Sequence, residues 1–159
     1  MRPTDREIEQ AFVRGLSSET RYFRFHSAVR ELSPALLERF TNVNYPGEMA
    51  LIATIEEGGG ERLIGVARYV RLEDSPAAEM AIVVADEWQG KGIGTRLLID
   101  LRSCAIAAGF REMKASVLSE NRRMYELARK LGYIVEPRHG DYRTVELGKE
   151  LDEHKMTGS

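Results

Sequence analysis

Residues Ala78 to Ala85 read Ala-Glu-Met-Ala-Ile-Val-Val-Ala, an apolar run rich in β-branched residues whose one charge, Glu79, stands near its start. With the two-residue period of a strand, Met80, Ile82 and Val84 face one way, and Ala81 and Val83 the other. Neither set of side chains suits water, so this strand belongs inside a sheet that carries helices on both faces. The rest of the chain has to supply those helices and the flanking strands.

Helical signals fill the first 45 residues. Thr4-Asp5-Arg6-Glu7 has capping-box spacing, and Ile8, Phe12 and Leu16 follow at helical intervals, which predicts a helix from Asp5 to Leu16. A second short helix is predicted over Ser18 to Phe25. Ser33-Pro34 reads as an N-cap followed by proline at the first helical position, opening a third helix through Phe40. From Glu48 the period changes. Met49 to Ile55 and Leu63 to Val70 are β-type runs around Glu57-Gly58-Gly59-Gly60-Glu61, a hairpin, and turn chemistry at Glu73-Asp74-Ser75-Pro76 adds Ala78 to Ala85 as the third strand of an antiparallel meander.

Beyond the meander, Leu97, Leu98, Leu101, Ala105 and Ile106 mark one face of a helix ending at Gly109. Lys114 to Leu118 returns as a strand. Ser119 or Asn121 caps a last helix carrying Met124, Leu127, Ala128 and Leu131 and stopped by Gly132. Two strands, Tyr133 to Glu136 and Tyr142 to Leu147, surround the turn Arg138-His139-Gly140-Asp141. Residues 1–148 therefore read as a single domain and 149–159 as a polar tail.

Composition narrows the function classes. The 159 residues are 43% hydrophobic and carry 23 Lys and Arg against 25 Asp and Glu, a net charge of −2 with no basic block, which argues against a general nucleic-acid or anionic-membrane binder. Charge-free runs reach only eight residues, Phe40 to Gly47 and Ser103 to Phe110, too short for a membrane helix or a signal-peptide core. One cysteine, Cys104, can form neither an internal disulfide nor a Cys-rich zinc site, in keeping with a cytoplasmic location. It sits beside an apolar helical stripe and reads as a structural thiol rather than a nucleophile. His26, His139 and His154 lack ligand spacing, so no metal is expected.

Chemistry concentrates where the apolar strand ends. Gly90, Gly92 and Gly94 stand at alternate positions between Ala85 and an amphipathic helix. Glycine tolerates positive φ and close approach, and the first helical amides are unpaired at the positive end of the dipole, so the loop suits a phosphate. Two phosphate loops are excluded by spacing. Lys91 precedes the last two glycines, so this is not G-x-x-x-x-G-K-[ST], and a dinucleotide fingerprint from Gly90 would need glycine where Thr95 stands.

Gln89, Gly92 and Gly94 do match Q-x-x-G-x-G, and this resembles the acetyl-CoA pyrophosphate loop of the GNAT acyltransferase superfamily. The resemblance continues at Asn121, 27 residues beyond Gly94, into a helix ending Leu131-Gly132-Tyr133. It implies an α/β (α+β) fold with a mixed, mostly antiparallel central sheet and helices on both faces. It also implies that Gly90, Lys91, Gly92, Ile93, Gly94 and Thr95 meet the pyrophosphate, and that the main chain of Val83, Val84 and Ala85 meets the pantetheine arm. Asn121 would contact the same cosubstrate, beside its role as a helix cap.

A narrower resemblance is carried by Leu16 to Phe25, Glu31-Leu32-Ser33 and Tyr45 to Ala50, which look like the start of the acetyltransferase domain of bacterial Pat-type protein lysine acetyltransferases. Their typical target is acetyl-CoA synthetase. The likeness runs from Leu16 to Tyr133, leaves almost nothing at Met1-Arg2-Pro3 for the family's first strand, and leaves no room for the regulatory domain often joined to such enzymes, so regulation through one is not expected.

Transfer of an acetyl group to an amine needs a proton acceptor, because a lysine-like amine with a pKa near ~10.4 arrives protonated. Glu79, ten positions before Gln89, stands where the Pat-type family carries its general base, and partial burial there would raise its pKa. Glu48, at the start of a neighbouring strand, is the competitor. Many superfamily members place a tyrosine acid seven residues after the asparagine; here that position is Ala128, as Pat-type sequences also lack it, with Tyr125 a substitute candidate. The sequence thus points to a protein lysine acetyltransferase, against two alternatives: a small-molecule amine acetyltransferase, or a non-catalytic acyl-CoA binding module in which Glu79 would be superfluous.

Overall fold

A computed structural model describes residues 1–138 and 141–151 of the chain. Three helices come first, α1 (Arg6–Gly15), α2 (Ser18–Phe25) and α3 (Pro34–Thr41), then strands β1 (Glu48–Glu57), β2 (Gly60–Arg71) and β3 (Ala77–Val84). Helix α4 (Ile93–Ala107), strand β4 (Glu112–Leu118), helix α5 (Arg122–Lys130), and strands β5 (Ile134–Arg138) and β6 (Asp141–Glu150) complete the order. Among the described residues no helix is long and apolar enough to cross a membrane.

The strands make one six-stranded sheet in the order β1-β2-β3-β4-β6-β5, antiparallel except at β3–β4, so the apolar run is central, as its two dry faces require. Each face carries its own core. Tyr69 and Met80 look toward α4 and α5 and pack with Leu97, Leu101, Met113 and Ala128. On the opposite face Val66 and Val83 pack under Phe12, Val13 and Leu16 of the N-terminal helices. The α3 and α5 caps are among the side chains expected, the Ser33 hydroxyl accepting from Leu36 and Asn121, not Ser119, accepting from the Met124 amide at 3.3 Å, while α2 is capped by Ser17, whose hydroxyl accepts from Thr20.

Two terminal regions differ from the sequence reading. The Thr4 capping box does not form, because Pro3 starts a 3-10 turn and the buried Asp5 carboxylate reaches back to the Arg2 amide at 2.7 Å. Strand β6 runs to Glu150, so Lys149 and Glu150 belong to the sheet rather than to the tail, and the Leu151 amide still bonds the Arg111 carbonyl. His139 and Gly140 of the expected turn and the tail from 152 onward lie outside the described residues.

Candidate active site

Strands β3 and β4 pair for only three residues, Ala77↔Glu112 to Glu79↔Lys114, and then part. Beyond that point β3 stays paired to β2 and β4 to β6, so a cleft of about 510 Å³ opens inside the sheet between Met80–Val84 and Ala115–Val117. Helix α2 closes one side with Thr20, Phe23 and Arg24, and the start of α5 closes the other with Asn121, Met124 and Leu127.

The parting leaves the edge of β3 unpaired, and the register shows which residues use it. Val84 stands opposite Gly65 while the Ala85 amide bonds the Ile64 carbonyl at 2.8 Å, so Val84↔Gly65 is a pair without mutual hydrogen bonds. Alternation then aims the backbone of Val84 and Ile82 into the cleft, and that of Val83 back toward β2. Ala85 differs from its expected role. Its amide serves Ile64, its carbonyl accepts from Trp88 at 2.9 Å, and its side chain packs in the N-terminal core. Ile82 takes its place beside Val84, a substitution visible only once the lost partner strand is known.

At the far end of the cleft the loop builds a row of idle donors. Gly90 and Gly92 have φ of 75° and 89°, and a Cβ on either would meet nothing within 4 Å, so the space in front of them is open. Gly92 is the N-cap of α4 without a side-chain cap, and the first intrahelical amide is that of Arg96, bonded to the Gly92 carbonyl at 3.1 Å. Among the described residues the amides of Gly90, Lys91, Gly92, Ile93, Gly94 and Thr95 make no backbone hydrogen bond, which fits a pyrophosphate at this dipole end. Gly94 is needed for approach: a Cβ there would stand 3.3 Å from Leu127 and 3.6 Å from Ile82, where α4 and α5 meet over β3. Lys91 lies over the Trp88 ring at 5.1 Å.

Gln89 clamps this end. Its amide donates to the Val84 carbonyl at 3.0 Å and to Thr20 at 3.4 Å, while its oxygen accepts from Arg123 of α5 at 2.6 Å. Asp86 fixes α2 to the same turn by accepting from the Ser17 amide and from the Ser17 and Thr20 hydroxyls. Burial alone would raise its pKa, but those hydrogen bonds outweigh it and hold the carboxyl below the usual range.

Glu79 is the last residue of β3 paired to β4 and stands where the two strands part. It is exposed rather than partly buried. Glu48, Val70, Glu79 and Lys114 are successive cross-strand partners and therefore share one sheet face. Glu48 is thus two strands from Glu79, about 10 Å away, and its carboxylate faces the Asn44 amide at 3.4 Å. Tyr125 is turned away from the cleft; its hydroxyl donates to the Leu118 carbonyl at 2.8 Å. Cys104 is half-buried against the α4 core, and burial pushes its thiol pKa up.

His26, which carried no role in the sequence reading, lines the cleft at the end of α2 in the left-handed region, φ 58°. Burial, followed by the charges of Arg24 and Arg143, pushes its pKa down, and Glu79 pulls the other way. The unfolded imidazole titrates near ~6.5, so as pH falls through that value the unfolded chain binds the proton first and stability drops. His26→Asn keeps a residue that tolerates this backbone and should flatten the fall in unfolding midpoint between about pH 7 and pH 5.5. Equal slopes for the two proteins would remove His26 from that titration.

A profile of the acetyltransferase (GNAT) family matches residues 12–133. Acetyltransferase PA5475 of Pseudomonas aeruginosa is 37% identical over 134 residues, 84% of this chain and 72% of that protein. Acetyltransferase Pat of Mycolicibacterium smegmatis is 38% identical over 119 residues, 74% of this chain, which spans only 35% of that longer protein. The crystal structure of the GNAT domain of S. lividans PAT superimposes with a TM-score of 0.87 at 30% identity, covering 95% of this chain and 88% of that one. The chain belongs to the GNAT acetyltransferase family, and its enzyme class is that of an acetyl-CoA-dependent N-acetyltransferase.

Proposed function

We propose that this protein acetylates a lysine side chain of another protein, by direct attack within a complex of both substrates, with Glu79 as general base. The observation that carries the reading is the place of Glu79 at the vertex where β3 and β4 separate, exposed to an amine arriving from solvent. A base at the rim of the sheet suits an acceptor presented on a protein surface. The resemblance to Pat-type protein lysine acetyltransferases suggests a protein lysine as acceptor, with acetyl-CoA synthetase as the candidate and the cytoplasm as the location, and the likeness to acetyltransferase Pat of M. smegmatis is in keeping with that resemblance.

Acetyl-CoA supplies the activated acetyl group; the residues of this chain bind, orient and move a proton. Gly90 to Thr95 donate amides to the pyrophosphate, and the backbone of Ile82 and the amide of Val84, whose carbonyl already accepts from Gln89, pair with the pantetheine arm. Asn121, whose oxygen caps α5, keeps its amide nitrogen for the same ligand. An amide on that edge also meets the oxyanion that develops during transfer. Glu79 takes the proton from the ammonium, and with no tyrosine at Ala128 the thiolate, whose acid has a pKa near ~8.5, leaves without a dedicated acid. The single catalytic unit of this reading runs to the end of strand β6 at Glu150.

The test is CoA release from acetyl-CoA against a panel of lysine peptides, acetyl-CoA synthetase and small amines. Turnover confined to protein and peptide lysines supports the proposal. Turnover on small amines alone replaces it with the small-molecule reading, and acetyl-CoA binding without any turnover replaces it with a binding module.

A further inference from the structure

The wall of the cleft nearest the N-terminal helices holds a cation that has no hydrogen-bond or ion-pair partner among the described residues. Arg24 lines the cleft from α2, one turn beyond Thr20 and on the side of His26, away from the phosphate loop. Its guanidinium packs on the rings of Phe25 and Phe40, 4.9 and 5.6 Å from their centroids. Arg68 lies over the same Phe40 ring at 4.3 Å, but its donors are spent on the Phe40 carbonyl at 2.7 Å and on Glu9 at 3.2 Å. Glu9 is 3% exposed and is the carboxylate within electrostatic reach of both arginines. Glu48 acts on Arg68 as well but not on Arg24, so the one carboxylate that acts on Arg24 is already hydrogen-bonded to Arg68, and Arg24 has none of its own.

Among the described residues Arg24 makes no hydrogen bond or ion pair. Ring stacking covers the face of a guanidinium and leaves its five N–H donors, which lie in the plane of the group, unanswered. Burial, with the charge of Arg68 second, lowers its pKa to about 10, so the group is still a cation at neutral pH. The acidic residues at the other end do not neutralise it. Asp86 is committed to Ser17 and Thr20, and Glu19 and Glu120 are exposed. A half-buried fork of donors facing an open cleft is placed to meet an acceptor carried by the ligand, and a carboxylate matches that fork with two parallel hydrogen bonds.

We infer that Arg24 binds a carboxylate carried by the acceptor close to the amine that is acetylated. That carboxylate is an acidic side chain beside a target lysine, or the α-carboxylate of a free amino acid. The inference deepens the acetyl-transfer reading and rests on it for its kinetic test.

The experiment compares matched acceptors: a lysine peptide with Asp or with Asn beside the lysine, and free lysine or lysinamide, each with the wild-type protein, Arg24→Gln and Arg24→Lys. Wild type should favour the carboxylate-bearing member of at least one pair by roughly tenfold or more in kcat/KM, the value of a charged hydrogen-bonded pair. Arg24→Gln should erase the ratio while leaving acetyl-CoA affinity by calorimetry within about twofold, and Arg24→Lys, which keeps the charge but not the fork, should fall between. A response in the peptide pair alone identifies the acidic side chain as the source, and one in the amino-acid pair alone identifies the α-carboxylate. A wild-type ratio of one in both pairs, or a ratio that survives in folded Arg24→Gln, overturns the inference. If nothing is acetylated although acetyl-CoA binds, it is the transfer reading that fails. Equilibrium binding of the same pairs to the CoA-loaded protein then decides Arg24 separately, equal affinities overturning it.

Discussion

Gly92→Glu should give a folded protein whose affinity for acetyl-CoA falls by about 100-fold or more, read by calorimetry. Two physical effects act at this position, and they separate. Gly92 sits at φ 89°, where a residue with a Cβ is strained by roughly 1–2 kcal/mol. The added side chain meets no atom within 4 Å, and a carboxylate at a helix N-terminus regains roughly 0.3–1 kcal/mol from the dipole, so the fold survives. The same carboxylate, however, takes the position of an anion in front of the idle amides of Ile93, Gly94 and Thr95 and repels the pyrophosphate. Gly92→Ala carries the backbone strain without the charge and should lose much less affinity. If Gly92→Glu folds and binds acetyl-CoA as wild type does, the loop is not the phosphate site.

What could be read from the chain alone was whatever depends on near neighbours in sequence. The two dry faces of Ala78–Ala85 placed it inside a sheet, the Ser33 and Asn121 caps placed two helices, and the strand, glycines and helix start at 83–95 placed the candidate phosphate loop within one contiguous segment. The family likeness added Asn121 as a candidate contact and Glu79 as the candidate base. The parting of β3 and β4 was not legible, because it is a pairing that ends, and no residue type marks that event. From it follow the two placements the sequence could not make: Ile82 rather than Ala85 shares the free edge with Val84, and Glu79 stands exposed at the vertex. Arg24 and His26 stayed hidden for a related reason. A cation between Phe23 and Phe25 in a short helix reads as an ordinary amphipathic pattern until the helix is seen across a cleft with its one nearby carboxylate already taken by Arg68.

Glu79→Gln should lower kcat at neutral pH by about 10² to 10⁴, the usual worth of a positioned general base, with acetyl-CoA affinity unchanged because Glu79 lies at the opposite end of the cleft from the phosphate loop. The pH dependence tests the cause. A lysine-like amine with a pKa near ~10.4 is neutral in about one molecule in 10³ at pH 7.4, and that fraction grows tenfold per pH unit. An enzyme without its base can use only the neutral amine, so the variant's rate should climb with unit slope in log rate up to the amine pKa and close most of the gap to wild type. A residue that merely held the strand ends together would give a loss independent of pH, and that outcome would remove the proton-acceptor role. Glu48→Gln separates the two carboxylates. On the same sheet face but two strands away, Glu48 can attract an ammonium yet cannot reach the amine that Glu79 meets, so its loss should raise KM for the acceptor and leave the slope of the pH profile as in wild type. If Glu48→Gln instead reproduces the unit slope while Glu79→Gln keeps full activity, the base is the carboxylate at the start of β1, and the amine enters along the face of the meander rather than at the vertex.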